Sequence, residues 1–325
     1  MTIPRRRFLQ LACGAAALPA LPRAALAQAY PARPVRLMVG FAAGQAIDIL
    51  ARLIGQSVSE RLGQQFIVEN RPGAGGNIAV DVVVRAPPDG YTLLVIGANN
   101  AINSTLYEKL TFDFARDIVP VASIYRVTQV MVVNPSFPAK TIPEFIAYAK
   151  ANPSKINFAS ASTGSVAHVT GELFKMMTGI NMQHVPYRGA PPALTDLIAG
   201  QVDVMFDNLP SSIEHIRAGR LRPLGVSSKA RWDGLPDVPT IGDTVPGFET
   251  SAWAGIGAPK GTPADVIEKL NKEIAAGLAD PKIKARILEL GGTPLTSSPA
   301  EFGRLIADES AKWGKVVKFS GAKAE

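Results

Sequence analysis

Two segments carry residue types and spacing suited to holding a small anion. Phe41-Ala42-Ala43-Gly44-Gln45-Ala46-Ile47-Asp48 joins an apolar run to a stretch of helical period. Its small side chains let the backbone approach a ligand closely, and a helix start presents unpaired N–H groups with partial positive charge. Ser160-Ala161-Ser162-Thr163-Gly164-Ser165 stands in the equivalent place further on, leading towards His168, and adds the hydroxyls of Ser160, Ser162, Thr163 and Ser165. Facing each other across a cleft, two such turns would hold an organic acid with a carboxylate at each end. Neither segment contains Lys or Arg, so the charge would be met by amides, hydroxyls and water rather than by a bidentate guanidinium. Taken alone, each segment has a plainer reading: a Gly/Ala turn packs tightly, and Asp48 caps its helix. Recurrence of the same device in both halves favours binding.

Other chemistry finds little support. Gly73-Ala74-Gly75-Gly76-Asn77-Ile78 lacks the last glycine of a dinucleotide fingerprint and the Gly-Lys-Ser/Thr ending of a phosphate loop, so it reads as a turn. The three histidines, His168, His184 and His215, show no metal-ligand spacing. Ser165 and His168 are only helix-start neighbours, and no Gly-x-Ser-x-Gly elbow surrounds the serine. Trp232, Trp253 and Trp313 read as core or cleft-edge packing. No cofactor is expected.

The elements that must position the two turns alternate between short apolar runs and helical periods, the pattern of an α/β fold. Strands are expected at Val35–Gly40, Phe66–Glu69 and Thr92–Ile96, with helices over Asp48–Leu62 and Ile78–Arg85. Val119–Tyr125 and Gln129–Val133 read as a pair of strands passing between two lobes. In the second half, strands at Asn157–Ala159, Met182–Val185, Val202–Phe206 and Leu224–Ser227 alternate with helices at Ile142–Ala151, Val166–Met177, Ala193–Ala199 and Ile213–Ala218. The proline-bearing stretch Leu235–Gly247 reads as a return crossing. Helices at Ala264–Ala279, Lys282–Leu290 and Glu301–Val317 close the chain and are expected to rejoin the first lobe. The resulting division is residues 1–29 as a signal segment, 30–127 plus 250–325 as lobe 1, and 128–249 as lobe 2, with the ligand between lobes.

Composition narrows the function class. The chain has 325 residues, 47% of them hydrophobic, which is ample for a core. Its 34 Lys+Arg against 27 Asp+Glu give a net charge of +7. Arg5, Arg6, Arg7 and Arg23 lie in an acid-free start; without those four, 30 stand against 27, a net of +3 that removes the case for nucleic acid. The same start has the order Arg5-Arg6-x-Phe8-Leu9, an apolar stretch from Leu11 to Leu21, and Ala25-Leu26-Ala27 or Ala27-Gln28-Ala29 as small-x-small cleavage sites. It resembles a twin-arginine export signal, with an apolar run too short to span a bilayer comfortably. Gln10 stands where a lipobox wants an aliphatic residue, so Cys13, the single cysteine, is not read as lipidated. The processed protein would have no thiol chemistry and would be soluble in the periplasm of a Gram-negative cell.

Several further segments, in order, are similar to one known family, the periplasmic substrate-binding proteins of tripartite tricarboxylate transporters, often called the Bug family. They are Tyr30-Pro31-Ala32-Arg33-Pro34-Val35-Arg36, Val68-Glu69-Asn70-Arg71-Pro72-Gly73-Ala74-Gly75-Gly76-Asn77, Pro88-Asp89-Gly90-Tyr91-Thr92-Leu93-Leu94, His184-Val185-Pro186-Tyr187-Arg188-Gly189, Leu235-Pro236-Asp237-Val238-Pro239-Thr240 and Ala258-Pro259-Lys260-Gly261-Thr262-Pro263. The resemblance implies a two-lobed periplasmic binding protein of type 2-like α/β fold, each lobe a sheet flanked by helices. It implies a receptor, not an enzyme, that closes on a small carboxylate and hands it to membrane permease subunits. It also implies that Phe41, Ala42, Ala43, Gly44, Gln45 and Asp48 face Ser160, Ser162, Thr163, Gly164, Ser165 and His168 around the ligand, with Asp207 on the cleft wall. The family usually has Pro-Gly-Gly where this chain has Ala43-Gly44-Gln45. Gln45 is therefore expected to shift preference among dicarboxylates or aromatic carboxylates, which ligand rankings compared with Gln45→Gly would reveal. Ser165 stands for the usual threonine. The rival readings are a hydrolase-like enzyme using Ser165 or Asp48 on the same acid, and a ligand sensor for a membrane kinase. A monomer is expected, since the cleft must open and close.

Overall fold

The computed structural model describes residues 30–324, and the expected export segment, residues 1–29, lies outside them. Val35–Val39 (β1) runs into Ala46–Leu62 (α1), whose buried Leu50, Ile54 and Val58 face the sheet. Gly55 lets that helix settle closely: a Cβ there would lie 3.2 Å from Leu37 Cδ1 and from the Phe66 carbonyl oxygen. Phe66–Asn70 (β2) and Thr92–Gly97 (β3) flank β1 in parallel, with Asn77–Val84 (α2) between them in sequence. Ala98–Leu106 (α3) follows β3 without a break, and Phe114–Asp117 (α4) is a single turn.

Ile118–Val133 (β4) is one continuous strand of 16 residues where the sequence suggested two. Its first stretch pairs antiparallel with Ser251–Pro259 (β9), from Ile118 opposite Pro259 to Thr128 opposite Ser251. From Gln129 onward it belongs to a second sheet. There it pairs with Val204–Asn208 (β7) on one side and Arg222–Val226 (β8) on the other. Asn157–Ser160 (β5) and Gln183–Pro186 (β6) extend that sheet in parallel with β7. Polar Arg126, Thr128 and Gln129 stand at the passage, and the strand stays continuous because ladder pairing runs through them, with Thr128 opposite Ser251 and Gln129 opposite Asn208.

Ile142–Ala151 (α5), Val166–Thr178 (α6), Ala190–Ile198 (α7) and Leu209–Arg217 (α8) cover the second sheet. α7 and α8 begin earlier than the apolar period suggests. Pro191 and Pro192 sit in the first turn of α7 and Pro210 in that of α8, where a proline's missing N–H has no partner to lose. Ala264–Leu278 (α9), Pro281–Glu289 (α10), the short Thr293–Pro294 strand (β10) and Pro299–Ser320 (α11) complete the chain. α9 and β10 join the first sheet at β4, whereas α11 packs on β4 and also on α3 and α6. One apolar cluster therefore runs from Trp253, Phe302 and Trp313 to Phe158, Phe174 and Phe206. A second lies between the other face of the second sheet and α7 and α8. The fold is thus two sheets flanked by helices and threaded by one strand. No helix among the described residues is long and apolar enough to cross a membrane.

Candidate functional site: a cavity ringed by helix starts

The first turn is held in shape by Asp48. Gly44 adopts a φ of +86°, a left-handed conformation that glycine takes without strain, and its N–H donates to Asp48 Oδ2 at 2.9 Å. Arg52 closes a fork on the same carboxylate at 3.0 and 3.1 Å, and Asn70 Nδ2 donates to it at 2.8 Å. Asn70 also donates to the Phe41 carbonyl at 2.9 Å. Burial alone would push the Asp48 carboxyl up, but Arg52 and the Gly44 and Asn70 donors hold it below its ordinary value. Asp48 is 2% exposed and points into the protein, so it positions the turn rather than meeting a ligand.

The second turn is organised by two neutral imidazoles. Ser165 caps α6: its Oγ accepts the His168 N–H at 3.3 Å and donates to the Ser162 carbonyl at 2.7 Å. His168 Nδ1 accepts the Gly164 N–H at 3.1 Å, and its ring stacks on His184 with centroids 3.8 Å apart. His184 Nε2 shares a 2.7 Å hydrogen bond with Ser160 Oγ, which also reaches the Ser162 carbonyl. Burial first, then nearby positive charge, lowers His168 to about 3 and His184 to about 4, so both rings stay neutral and His168 remains an acceptor. The hydrolase-like alternative fails here. The Ser165 hydroxyl and the His168 ring are each bound to backbone instead of to one another, and Asp48 is locked in its network.

Between the turns lies a cavity of about 520 Å³. The starts of α1, α3, α6, α7 and α8 all open on it, through Ala46, Ala98, Val166, Ala190 and the Asn208 cap. Each follows the carboxyl end of a strand: β1, β3, β5, β6 or β7. Their orphan N–H groups and aligned peptide dipoles together make the cavity attractive to anions. Phe41, Tyr125 and Trp253 give it an apolar wall, and Trp253 turns its Nε1–H away to Glu309 Oε2 at 3.2 Å. Burial pushes the Tyr125 hydroxyl up to about 12. Asp207 lines the cavity at 2% exposure, accepts from Ser212 Oγ at 2.7 Å, and is raised by burial to about 6.

Of the residues singled out from sequence, Phe41, Gln45, Ser162, Ser165 and Asp207 line this cavity. Ala42, Ala43 and Gly44 are exposed in the first turn beside it. Thr163 lines an adjoining cavity with Ser162, while Gly164 is packed against Leu106. Ser160, Asp48 and His168 lie behind the turns as their supports. Sequence reasoning missed Asn99, because Ala98–Leu106 shows too little apolar period to announce a helix. It also missed Arg188 on the cavity wall, a cation that the reading without arginine leaves out. The signal was present: Pro186-Tyr187-Arg188-Gly189 repeats the strand–turn–helix device of the other two turns. Among the described residues, no group of three or more His, Cys, Asp or Glu is placed to hold a metal.

A sequence model described as tripartite tricarboxylate transporter family receptor matches residues 50–321. Protein BugT of Bordetella pertussis is 37% identical over 300 residues, spanning 91% of this chain and 92% of BugT. The solved structure of R. palustris Rpa4515 with adipate superposes with a TM-score of 0.78 at 39% identity, over 90% of this chain and 99% of that one. MatC (Rpa3494) from Rhodopseudomonas palustris with bound malate gives 0.75 at 32% identity, over 89% and 100%.

Proposed function

This chain belongs to the receptor family of tripartite tricarboxylate transporters, and from that premise we propose that it captures a small carboxylate in the periplasm. The ligand is a dicarboxylate, a tricarboxylate or an aromatic carboxylate, and the receptor delivers it to the membrane permease subunits of such a transporter. The observation that carries this reading is the convergence of the starts of α1, α3, α6, α7 and α8 on one cavity. Adipate in Rpa4515 and malate in MatC support the same ligand class. The Ala46 end of α1 and the Val166 end of α6 approach the ligand from opposite sides, with Gln45 and Ser162 adding side-chain contacts. Asp48 and His168 keep the two turns in shape.

The lobes in this reading are residues 30–127 with 250–325, and residues 128–249, following an export segment at 1–29. They close about the two chain crossings at Thr128–Gln129 and Thr250–Ser251. Gln129 sits between those crossings: its Oε1 accepts from Thr170 Oγ1 at 2.5 Å and Thr250 Oγ1 at 3.0 Å. Thermal unfolding against a carboxylate panel, with mass analysis of the recovered acid, tests the proposal. At a hundredfold excess over Kd a one-site receptor gains about 2.7 kcal/mol. The expected result is that gain with an intact acid; chemical turnover, or no shift with any carboxylate, would contradict it.

A further inference from the structure

We propose that Arg188 selects ligands that carry a second carboxylate; this deepens the carboxylate-receptor reading and rests on it. Among the described residues Arg188 is the one Lys or Arg lining the main cavity, and it also lines the adjoining one. Most arginines near a carboxylate in this protein are already engaged: Arg36 with Glu69 at 2.7 Å, Arg61 with Glu273 at 2.7 Å and Arg52 with Asp48 at 3.0 Å. Arg188 has no acidic partner among the described residues and is exposed, so its guanidinium is available.

Its backbone, by contrast, is tied down. The Tyr187 N–H donates to the Ser160 carbonyl at 2.9 Å, and the Gly189 N–H donates to the Ala161 carbonyl at 2.8 Å. The two bonds bracket residue 188 and hold it beside the second turn. Tyr187 is anchored further by its hydroxyl, 2.7 Å from Asp196 Oδ2. Gly189 takes a φ of +108° to turn the chain into α7, so the cation and that helix start are presented together.

Charge then separates mono- from diacids. Each helix start supplies only about half an elementary charge. That suffices for one carboxylate on the α1 and α3 side, where no cationic side chain lines the cavity. A second carboxylate reaching the second turn meets the Arg188 fork, whose planar donors match it in a bidentate way that an ammonium does not.

Titration calorimetry with acids matched in length tests the assignment: succinate against butyrate, adipate against hexanoate, suberate against octanoate. The unaltered protein is expected to favour the diacid in at least one pair. In Arg188→Gln the diacid-to-monoacid affinity ratio of that pair should fall about tenfold or more, as expected for a lost charge-assisted hydrogen bond. Arg188→Lys should keep part of the ratio. A ratio within twofold of the original in Arg188→Gln overturns the assignment, including when both affinities drop together through damage to the fold. Binding of none of the six acids overturns the Arg188 assignment; if citrate and terephthalate also fail to bind the unaltered protein, the receptor reading falls with it, whereas binding of the six with an unmoved ratio overturns Arg188 alone.

Discussion

Burial at the cavity wall raises the Asp207 carboxyl from its ordinary 3.8 to about 6, although Ser212 and the Asn208 amide both donate to it. In the unfolded chain the group titrates near 3.8, so between that pH and about 6 the folded protein keeps a proton that the unfolded chain has released. Stability therefore falls as pH rises through this window, and the full penalty is present above it. A separation of roughly two units corresponds to about 3 kcal/mol at most. Asp207→Asn should raise the melting temperature at pH 7.5 and change it little below pH 4. A gain that does not vary with pH would show that the Asp207 charge is not the cause. Asp48 illustrates the opposite outcome of burial, because Arg52, Gly44 and Asn70 compensate its charge completely enough to keep it ionised.

At the level of elements, the two turns were legible because small residues between a strand and a helix have a physical meaning that needs no tertiary context. α3 was not. Asn99, Asn100, Asn103 and Ser104 have weak helix propensity, and the helix forms because Ala98, Ala101, Ile102 and Leu106 are buried. Its asparagines are satisfied locally and across the fold: Asn100 Oδ1 accepts the Gly97 N–H at 2.9 Å, and Asn103 Nδ2 donates to the Gly75 carbonyl at 2.9 Å. The far end of α3 meets the second turn, where a Cβ on Gly164 would stand 2.3 Å from Leu106 Cδ2. Gly164 also has a φ of +75°. Gly164→Ala should cost about 1–3 kcal/mol from the strained backbone, with a further loss of ligand affinity as the turn and α3 are pushed apart. Denaturant midpoints and calorimetric affinities check both effects; an unchanged midpoint would mean that the turn yields freely.

Across the whole molecule, the two sheets share more than a crossing strand. β4 serves both, α11 packs against α3 and α6 at once, and one apolar cluster joins Trp313 and Phe302 to Phe174 and Phe158. Separating the sheets would expose that cluster, so the protein should unfold in a single cooperative step despite its size. Calorimetry should give a van't Hoff enthalpy matching the measured one, with tryptophan fluorescence and far-ultraviolet dichroism changing together. Two resolved transitions would show that the lobes are energetically independent. The proposed closure on a ligand would then come from small adjustments around Gln129 and Thr250 rather than from wide parting of the cores.

Local periodicity and turn chemistry determined from the sequence alone that the chain alternates strands and helices and that two amide-rich turns could hold an anion; the likeness to a receptor family rested separately on the run of matching segments. The first two are properties of short windows, where residue type and spacing act directly on backbone conformation. Tertiary structure decided which helix starts converge, that Ser160, Asp48 and His168 stand behind the turns as supports, and that Arg188 joins the cavity wall. Those facts depend on contacts between residues far apart in the chain, such as Gly189 on Ala161 and Leu106 against Gly164, and no window of sequence contains both partners.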